Sequence, residues 1–403
     1  MPDTSNLINL PVGKLGIIPL ESSTVIGEKI DKYIVRWRKE RHNEHKDNLT
    51  FTGYDKDSYI LEASCPRFGS GEAKGMLKES VRGTDLYLLV DVINHSIEYS
   101  ICGIKNKMSP DDHYSDLKRI IAAIGSKATK LTVIMPFLYE SRQHKRSGRE
   151  SLDCAVALQE LVAMGVDNII TFDAHDPRVV NAIPCCGFEN IMPTYQFIKT
   201  LLSTTPDLEL DKDHIMVISP DEGAMNRAIY FANHLGVDVG MFYKRRDYTT
   251  IVNGKNPIIA HEFLGDSVEG KDVIIIDDII ASGESMLDVA KQLKDRKARR
   301  VYCLATFGLF TTGLEIFDEY HQKGIIEKVI TTNLTYQRPD LFDKVWYESA
   351  DLSKYIAILI DHLNHNASIS SLLDQSERIQ ARIQEYKKTG TITPNYKAPE
   401  LTD

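Results

Sequence analysis

The residues best suited to chemistry lie between Val273 and Met286, in VIIIDDIIASGESM. An apolar run meets two adjacent acids, Asp277 and Asp278, and then a small-residue turn. Four consecutive β-branched residues read as a strand buried on both faces, as in a parallel sheet. The acids then fall at its carboxyl end, the edge where open α/β sheets bind ligands. Ser282, Gly283 and Ser285 offer hydroxyls and unhindered backbone N–H groups at the start of the helical pattern MLDVAKQLK, a setting suited to phosphate. Acids for ribose hydroxyls beside donors for phosphate point to a phosphorylated sugar. Taken alone, the same residues also describe a buried strand with a polar helix cap.

Four further segments concentrate functional residue types. PFLYESRQHKRSGRES, from Pro136, sets Arg142, Lys145, Arg146 and Arg149 within eight residues, a density that suits a polyphosphate and equally a solvated helix face. TFDAHDP carries Asp173 and His175 at a strand end, where His175 can meet a metal-nucleotide complex or serve as a structural histidine. VISPDEGAMNRA puts Asp221 between a strand and Gly223, where a carboxylate can face magnesium or cap a helix. MFYKRRDYTTIVNGKNPIIAHEF sets Lys244, Arg245 and Arg246 at the base of a long aperiodic stretch, 247–262, which predicts a mobile active-site lid. Cations there can neutralise charge developing on a transferring phosphoryl group.

These residues need a scaffold that brings strand ends to one edge. Strand-like runs at 15–20, 86–92, 131–135, 168–172, 215–219, 237–243, 273–276, 301–307 and 328–332 are mostly separated by helical patterns, such as HYSDLKRIIAAIGS and ESLDCAVALQELVAMG. The alternation predicts parallel sheets, and roughly ten strands fit two sheets better than one. The polar LLSTTPDLELDKD stretch marks a boundary near 193–213, and a mixed-charge run from His42 to about Lys56 predicts a surface insertion. Helical patterns return in LSKYIAILIDHLNH and SERIQARIQEYKK. At 403 residues the chain can bury two cores, and a net charge of −9 argues against a general nucleic-acid surface. Six cysteines without CxxC or zinc-ligand spacing read as buried thiols in a reducing compartment. No opening leader pattern is present and no apolar run approaches a membrane span of roughly 18 residues. A cytoplasmic protein without membrane partners is expected.

Taken in order, the segments from about Arg67 to Thr332 resemble the ribose-phosphate pyrophosphokinase family, which makes phosphoribosyl diphosphate. RFGSGEAKGMLKESVRGTDLYLL is similar to the family segment that contacts adenine across a subunit boundary, at Phe68 and Glu72. PFLYESRQ resembles the segment with an Arg-Gln pair for ATP, here Arg142 and Gln143. TFDAHD and SPDEG resemble the metal-nucleotide motifs, at His175 and Asp221. YKRR is similar to the catalytic loop, with Lys244 and Arg246, and IIIDDIIASGES to the ribose phosphate loop. The chain departs from the family pattern at Ser70 and His144, where aspartate is usual, and at Ala281, Ser282, Glu284 and Ser285, where aspartate, threonine, glycine and threonine are usual.

The resemblance implies an α/β fold of two type I phosphoribosyltransferase-like domains, each a mostly parallel sheet flanked by helices. Residues 1–195 would form the first, with an insertion near 42–62, and 196–345 the second. A helical segment, 346–403, would pack back on the N-terminal domain and end in a polar tail. Also implied are Mg2+, ATP and ribose 5-phosphate, and a homo-oligomer, a dimer-based hexamer. Arg82 and Arg149 fall where the family places regulatory phosphate or ADP contacts.

The activity expected is transfer of the diphosphoryl group of MgATP to the anomeric hydroxyl of ribose 5-phosphate, with AMP as the other product. The altered phosphate loop also suits a nucleotide-binding homologue that regulates an active partner. The Asp277–Asp278 loop is shared with phosphoribosyltransferases that consume phosphoribosyl diphosphate. A carboxylate aimed at a bound phosphate repels it, so Glu284 is expected to point outward. Cations that act mainly in the transition state change turnover more than ground-state binding. Lys244→Ala and Arg246→Ala should therefore each lower AMP formation by roughly a hundredfold and barely move the Michaelis constant for ATP. Steady-state kinetics check this, and unchanged turnover in both variants removes the role.

Overall fold

The computed structural model describes residues 10–44, 53–246, 258–390 and 392, which form two compact units. The first comprises the described residues up to Pro193 with Asn333–Tyr336 and Asp351–Asp374. The second comprises Thr194–Thr332, Gln337–Ala350 and the described residues from Gln375 onward, so far as each range is described.

In the first unit the chain runs through β1 (Lys14–Pro19), α1 (Thr24–Glu44), a ribbon of β2 (Ala63–Ser64) and β3 (Met76–Leu77), and β4 (Thr84–Leu89). A hairpin of β5 (Glu98–Ile101) and β6 (Ile104–Lys107) follows, then α2 (Pro110–Ile124), β7 (Lys130–Ile134), α3 (Asp153–Ala163), β8 (Asn168–Phe172) and β9 (Gly187–Ile191). Strands β1, β4, β7, β8 and β9 lie side by side in that order, all parallel.

The second unit holds α4 (Thr194–Thr204), β10 (Ile215–Ser219), α5 (Met225–Leu235), β11 (Asp238–Arg246), β12 (Ile258–Leu264), β13 (Asp272–Ile280), α6 (Glu284–Asp295), β14 (Val301–Gly308), α7 (Glu315–Gln322), β15 (Lys328–Thr332) and β16 (Tyr347–Ala350). Its sheet order is β12-β11-β10-β13-β14-β15-β16, parallel throughout except between β11 and β12. The β-branched run of β13 is buried on both faces, as its composition predicts. Val273 and Ile275 join Met286, Leu287, Ala290 and Leu293 of α6 in one core, while Ile274 and Ile276 join residues of α4 and α5 in another. Each such isoleucine contributes about 1.5–3 kcal/mol on burial.

Several expectations are corrected. Strands β9, β12 and β16 were not anticipated, because GFENI and YESA are short and polar and IIAHEFL sits in the aperiodic stretch. The expected lid divides: 247–257 lies outside the described residues, and from Ile258 the chain is a strand paired with β11. There Phe263 packs on Phe242 with ring centroids 5.2 Å apart. The C-terminal segment also divides. Helices α8 (Ser353–Asn364) and α9 (Ser370–Leu373) belong to the first unit, but α10 (Ser376–Thr389) packs in the second. Ile379, Ile383 and Tyr386 enter that unit's core, and the Tyr386 hydroxyl accepts from the Leu208 N–H at 2.8 Å. The cysteines are free, yet only Cys154 and Cys303 are buried, and Cys102 and Cys185 are exposed.

The insertion is likewise more than surface. Tyr54 and Tyr59 are buried, and the Arg38 guanidinium stands 4.9 Å from each ring centroid. Arg38 and Arg41 of α1 turn inward and share the carboxylate of Asp361 on α8, with Arg38 Nε 3.1 Å from Oδ1. Arg38 also donates to Asn364 at 2.6 Å, and Asn364 donates to Asp85 on β4 at 2.8 Å. Burial alone would raise Asp361, but the two guanidinium groups hold it below the usual carboxylate range. Such a network is costly to break because each partner removed strands a buried charge.

His365 closes this network, 3.2 Å from the Tyr54 hydroxyl. Burial, with help from Arg38 and Arg41 and against Asp361, pushes its pKa down to about 4 from 6.5. The unfolded chain therefore takes up a proton near pH 6.5 and the folded chain only near 4, so stability falls as the pH drops through that window. The loss is about 3 kcal/mol for such a shift. Urea unfolding of His365→Gln should show that part of the acid sensitivity removed between pH 6.5 and 4, and a pH profile parallel to the unsubstituted protein would refute the assignment.

Candidate active site

The second unit's sheet reverses direction between β10 and β13. From β10 the chain lays β11 and β12 on one side, then returns to build β13 to β16 on the other. The connections leave the carboxyl ends of β10 and β13 in opposite directions, and the gap between them is the usual ligand crevice of open α/β sheets. Pairing of β10 with β13 stops at Ile218–Ile275, whereas β13 stays paired with β14 to Ile280–Gly308. Asp277 and Asp278 therefore extend beyond the end of β10 at this switch point.

Their electrostatics fit a site rather than a structural ion pair. Asp278 is buried and Asp277 retains about a quarter of its side-chain exposure. Arg227, on the first turn of α5, reaches both only loosely, at 3.8 Å from Asp277 and 4.0 Å from Asp278. Burial and the charge of Asp278, partly offset by Arg227, raise the Asp277 pKa well above the ordinary carboxylate range. A divalent cation or a set of sugar hydroxyls would relieve that repulsion. Arg227 is a residue that sequence reasoning missed. Its signal was helical spacing, because Arg227 precedes Phe231 by one turn on the buried face of α5.

After β13 the chain turns through Ala281 and Ser282 into α6. Gly283 is the N-cap with φ 89° and ψ −15°, in the left-handed region, and a Cβ there would overlap the Phe317 ring. Only glycine satisfies both conditions. Ser285 and Glu284 are exposed on the first turn of the helix, and the Glu284 N–H lies 3.4 Å from Ser282 Oγ. Asp221, past the end of β10, accepts the Gly223 N–H at 2.9 Å and the Ala224 N–H at 3.3 Å through Oδ1. These bonds close a turn ahead of α5, whose N-cap is Ala224 with no side-chain cap, so Asp221 is not the helix cap. Lys244 and Arg246 lie on β11, where their backbones pair with His261 and Ile258.

In the first unit, Arg142 and Gln143 sit in the loop after β7, with Arg142 exposed. Gln143 Nε2 donates to Ser151 O at 2.8 Å and holds this loop together. His175 is exposed in the loop after β8, and the ring of His144 lies 5.4 Å from it, centroid to centroid. Asp176 is held down to about pH 2, chiefly by hydrogen bonding from Arg178. Phe68 is 53% exposed at a turn tip closed by its own N–H to Glu72 O at 2.7 Å, and Ser70 holds the Glu72 carboxylate at 2.9 Å. Arg82 and Arg149 are both exposed. The structure therefore gathers Asp277, Asp278, Ser282, Gly283, Ser285 and Asp221 in the second unit, and Arg142, Gln143 and His175 on strand-end loops of the first.

Residues 15–165 match the family described as the N-terminal domain of ribose phosphate pyrophosphokinase, and residues 188–333 match the phosphoribosyl transferase domain. The chain belongs to the ribose-phosphate pyrophosphokinase family. Ribose-phosphate pyrophosphokinase of Vibrio parahaemolyticus is 27% identical over 317 residues, covering 78% of this chain and 91% of that protein. The enzyme of the same name from Chlorobaculum tepidum is 26% identical, covering 80% and 90%. The crystal structure of phosphoribosylpyrophosphate synthetase from Mycobacterium smegmatis superposes with a TM-score of 0.67 at 19% identity, over 88% of this chain and all of that one. Two phosphoribosyltransferase-like domains built on mostly parallel sheets are thus the fold of this pyrophosphokinase family member.

The acid pair of this pyrophosphokinase family member carries a stability cost. A carboxyl whose folded pKa is raised favours folding when protonated, and that advantage is lost as the pH rises through the folded value. Asp277→Asn should therefore raise the melting temperature at neutral pH by about 2–4 °C, the shift produced by about 1 kcal/mol in a domain of this size. The gain should vanish below the ordinary aspartate pKa of 3.8. Calorimetry at pH 7.5 and 3.5 checks it, and destabilisation at pH 7.5 would show Asp277 to be a structural partner of Arg227.

Proposed function

We propose that this chain transfers the β,γ-diphosphoryl group of ATP to the anomeric hydroxyl of ribose 5-phosphate, giving phosphoribosyl diphosphate and AMP. The observation that carries the reading is the acid pair at the switch point running directly into a glycine-capped helix N-terminus. Acceptors for ribose hydroxyls and donors for a phosphate thereby follow each other within nine residues, Asp277 to Ser285. A second parallel sheet with its own polar strand-end loops supports a two-substrate kinase over a transferase built on one such unit.

In this reading Asp277 and Asp278 accept hydrogen bonds from the ribose hydroxyls and orient the anomeric oxygen. Ser282, Gly283 and Ser285 cradle the 5-phosphate with backbone N–H groups and hydroxyls, helped by the positive end of α6. Phe68 and Glu72 hold adenine, and Arg142 and Gln143 bind the nucleotide, Gln143 through its Oε1. His175 and Asp221 would hold magnesium with the nucleotide, and the under-compensated Asp277–Asp278 pair also suits a divalent cation. Bound magnesium supplies charge neutralisation along the polyphosphate. The anomeric oxygen attacks the β-phosphorus, the bond to the α-phosphate oxygen breaks, and the proton of the hydroxyl passes to solvent. Lys244 and Arg246 stabilise the charge on the transferring group, and positioning with electrostatics provides most of the acceleration. Arg82 and Arg149 would serve a regulatory anion. A homo-oligomer, a dimer-based hexamer, in the cytoplasm completes the proposal.

Purified chain given ATP, magnesium and ribose 5-phosphate should form AMP and phosphoribosyl diphosphate in equal amounts without another protein. Asp221→Ala should weaken MgATP binding in calorimetric titration, and Asp277→Ala or Asp278→Ala should chiefly weaken ribose 5-phosphate binding, each by about tenfold or more. Absence of AMP formation by folded protein that still binds nucleotide would overturn the enzymatic reading.

A further inference from the structure

His144 departs from the aspartate usual in the family, and in the fold it meets a carboxylate. Its Nε2 lies 3.3 Å from Asp176 Oδ2, with both side chains nearly buried at 11% exposure. Asp176 begins the 3-10 turn Pro177–Ala182, accepting the Arg178 N–H at 2.9 Å through Oδ1, and the exposed Arg178 guanidinium donates to both its oxygens, Nε to Oδ1 at 2.9 Å and Nε and Nη2 to Oδ2. Those bonds are local and would hold Asp176 without His144. The His144 contact is different, because it joins the loop of Arg142 and Gln143 to the loop of His175 across 32 residues of chain. On its other side the His144 ring lies against His175, at 5.4 Å and a 55° tilt.

A purely stabilising origin fits poorly. The Nδ1 of His144 is buried with no hydrogen-bond partner among the described residues. Such an unsatisfied group costs stability, so a residue selected only to hold two loops together would not need it. An aspartate at 144 would face Asp176 with like charge at about 3 Å, which the present pairing avoids. His144 and Asp176 thus act together, on the flank of the exposed His175 ring.

We propose that the His144–Asp176 pair is a positioning device for His175, setting the ring that meets the magnesium nucleotide and coupling it to the Arg142–Gln143 loop. The inference rests on the reading of His175 as a MgATP residue. Groups that orient a metal-facing histidine commonly change affinity by about tenfold or more when removed.

Calorimetric titration with MgATP, with the ribose 5-phosphate Michaelis constant and melting temperature measured in parallel, tests the idea on the full chain. His144→Ala and His144→Asp should each weaken MgATP by about tenfold, with the ribose 5-phosphate constant within about twofold. The double variant His144→Asp/Asp176→Asn restores a donor facing an acceptor and keeps the Arg178 N–H to Oδ1 bond, while the exposed Arg178 guanidinium gives up its bonds to Oδ2, so it should return MgATP affinity to within about threefold of the unsubstituted chain. If His144→Asp fails to fold, His144→Ala still reads the positioning role. MgATP binding unchanged in His144→Ala, or no recovery in a folded double variant, overturns the inference while His175→Ala still weakens nucleotide. Unchanged binding in His175→Ala instead removes the nucleotide role of His175, and the inference with it.

Discussion

Parallel pairing is the constraint on which both units depend. A parallel strand can be reached only by a crossover, and crossovers cover the faces of a sheet with helices. In the second unit this leaves Val273 to Ile276 buried on both sides, with no polar group tolerated along the strand's middle. Polar chemistry is pushed to the carboxyl edge. The reversal of strand order between β10 and β13 then opens that edge at one place, and Asp277, Asp278, Asp221 and the start of α6 meet there.

Strand β13 contains its own control. Asp272 at its amino end is buried, yet Arg299 and Arg300 both bond its two oxygens, at 2.6–3.1 Å. Against the effect of burial, those guanidinium groups keep it below the usual carboxylate range. At the other end of the same strand, burial and the charge of Asp278 raise Asp277, and Arg227, at a longer distance, and the Asp278 N–H offset this only in part. One end is a finished structural ion pair. The other is left electrostatically incomplete, which is what a substrate or cation requires of a site.

The first unit spends its charges differently. Arg38 and Arg41 reach into the core to Asp361, and Tyr54 from the insertion covers them. That arrangement ties α1, α8 and β4 by polar bonds where most proteins use apolar contact. Specific hydrogen-bond geometry of this kind selects one packing of the C-terminal helix over slipped alternatives. The strand-end loops above it are held by smaller devices, Gln143 across its own loop and His144 to Asp176 between loops.

The sequence by itself determined whatever depends on neighbours along the chain. The β-branched run before Asp277 dictated a doubly buried strand, the Asp-Asp step followed by Ser-Gly-Glu-Ser a polar edge, and the order of motifs the family and its two α/β domains. Strands at 168–172, 215–219 and 328–332 were legible to the residue, since each is a short apolar block between helical patterns. Tertiary structure alone decided the order of strands, the loose grip of Arg227 on the acid pair, the burial of Tyr54 inside a polar insertion and the packing of α10 in the second unit. The reason is physical. Periodicity records which face of an element is covered, but not by what, and the partners of Arg38, His144 and Arg227 lie 323, 32 and 50 residues away, at Asp361, Asp176 and Asp277.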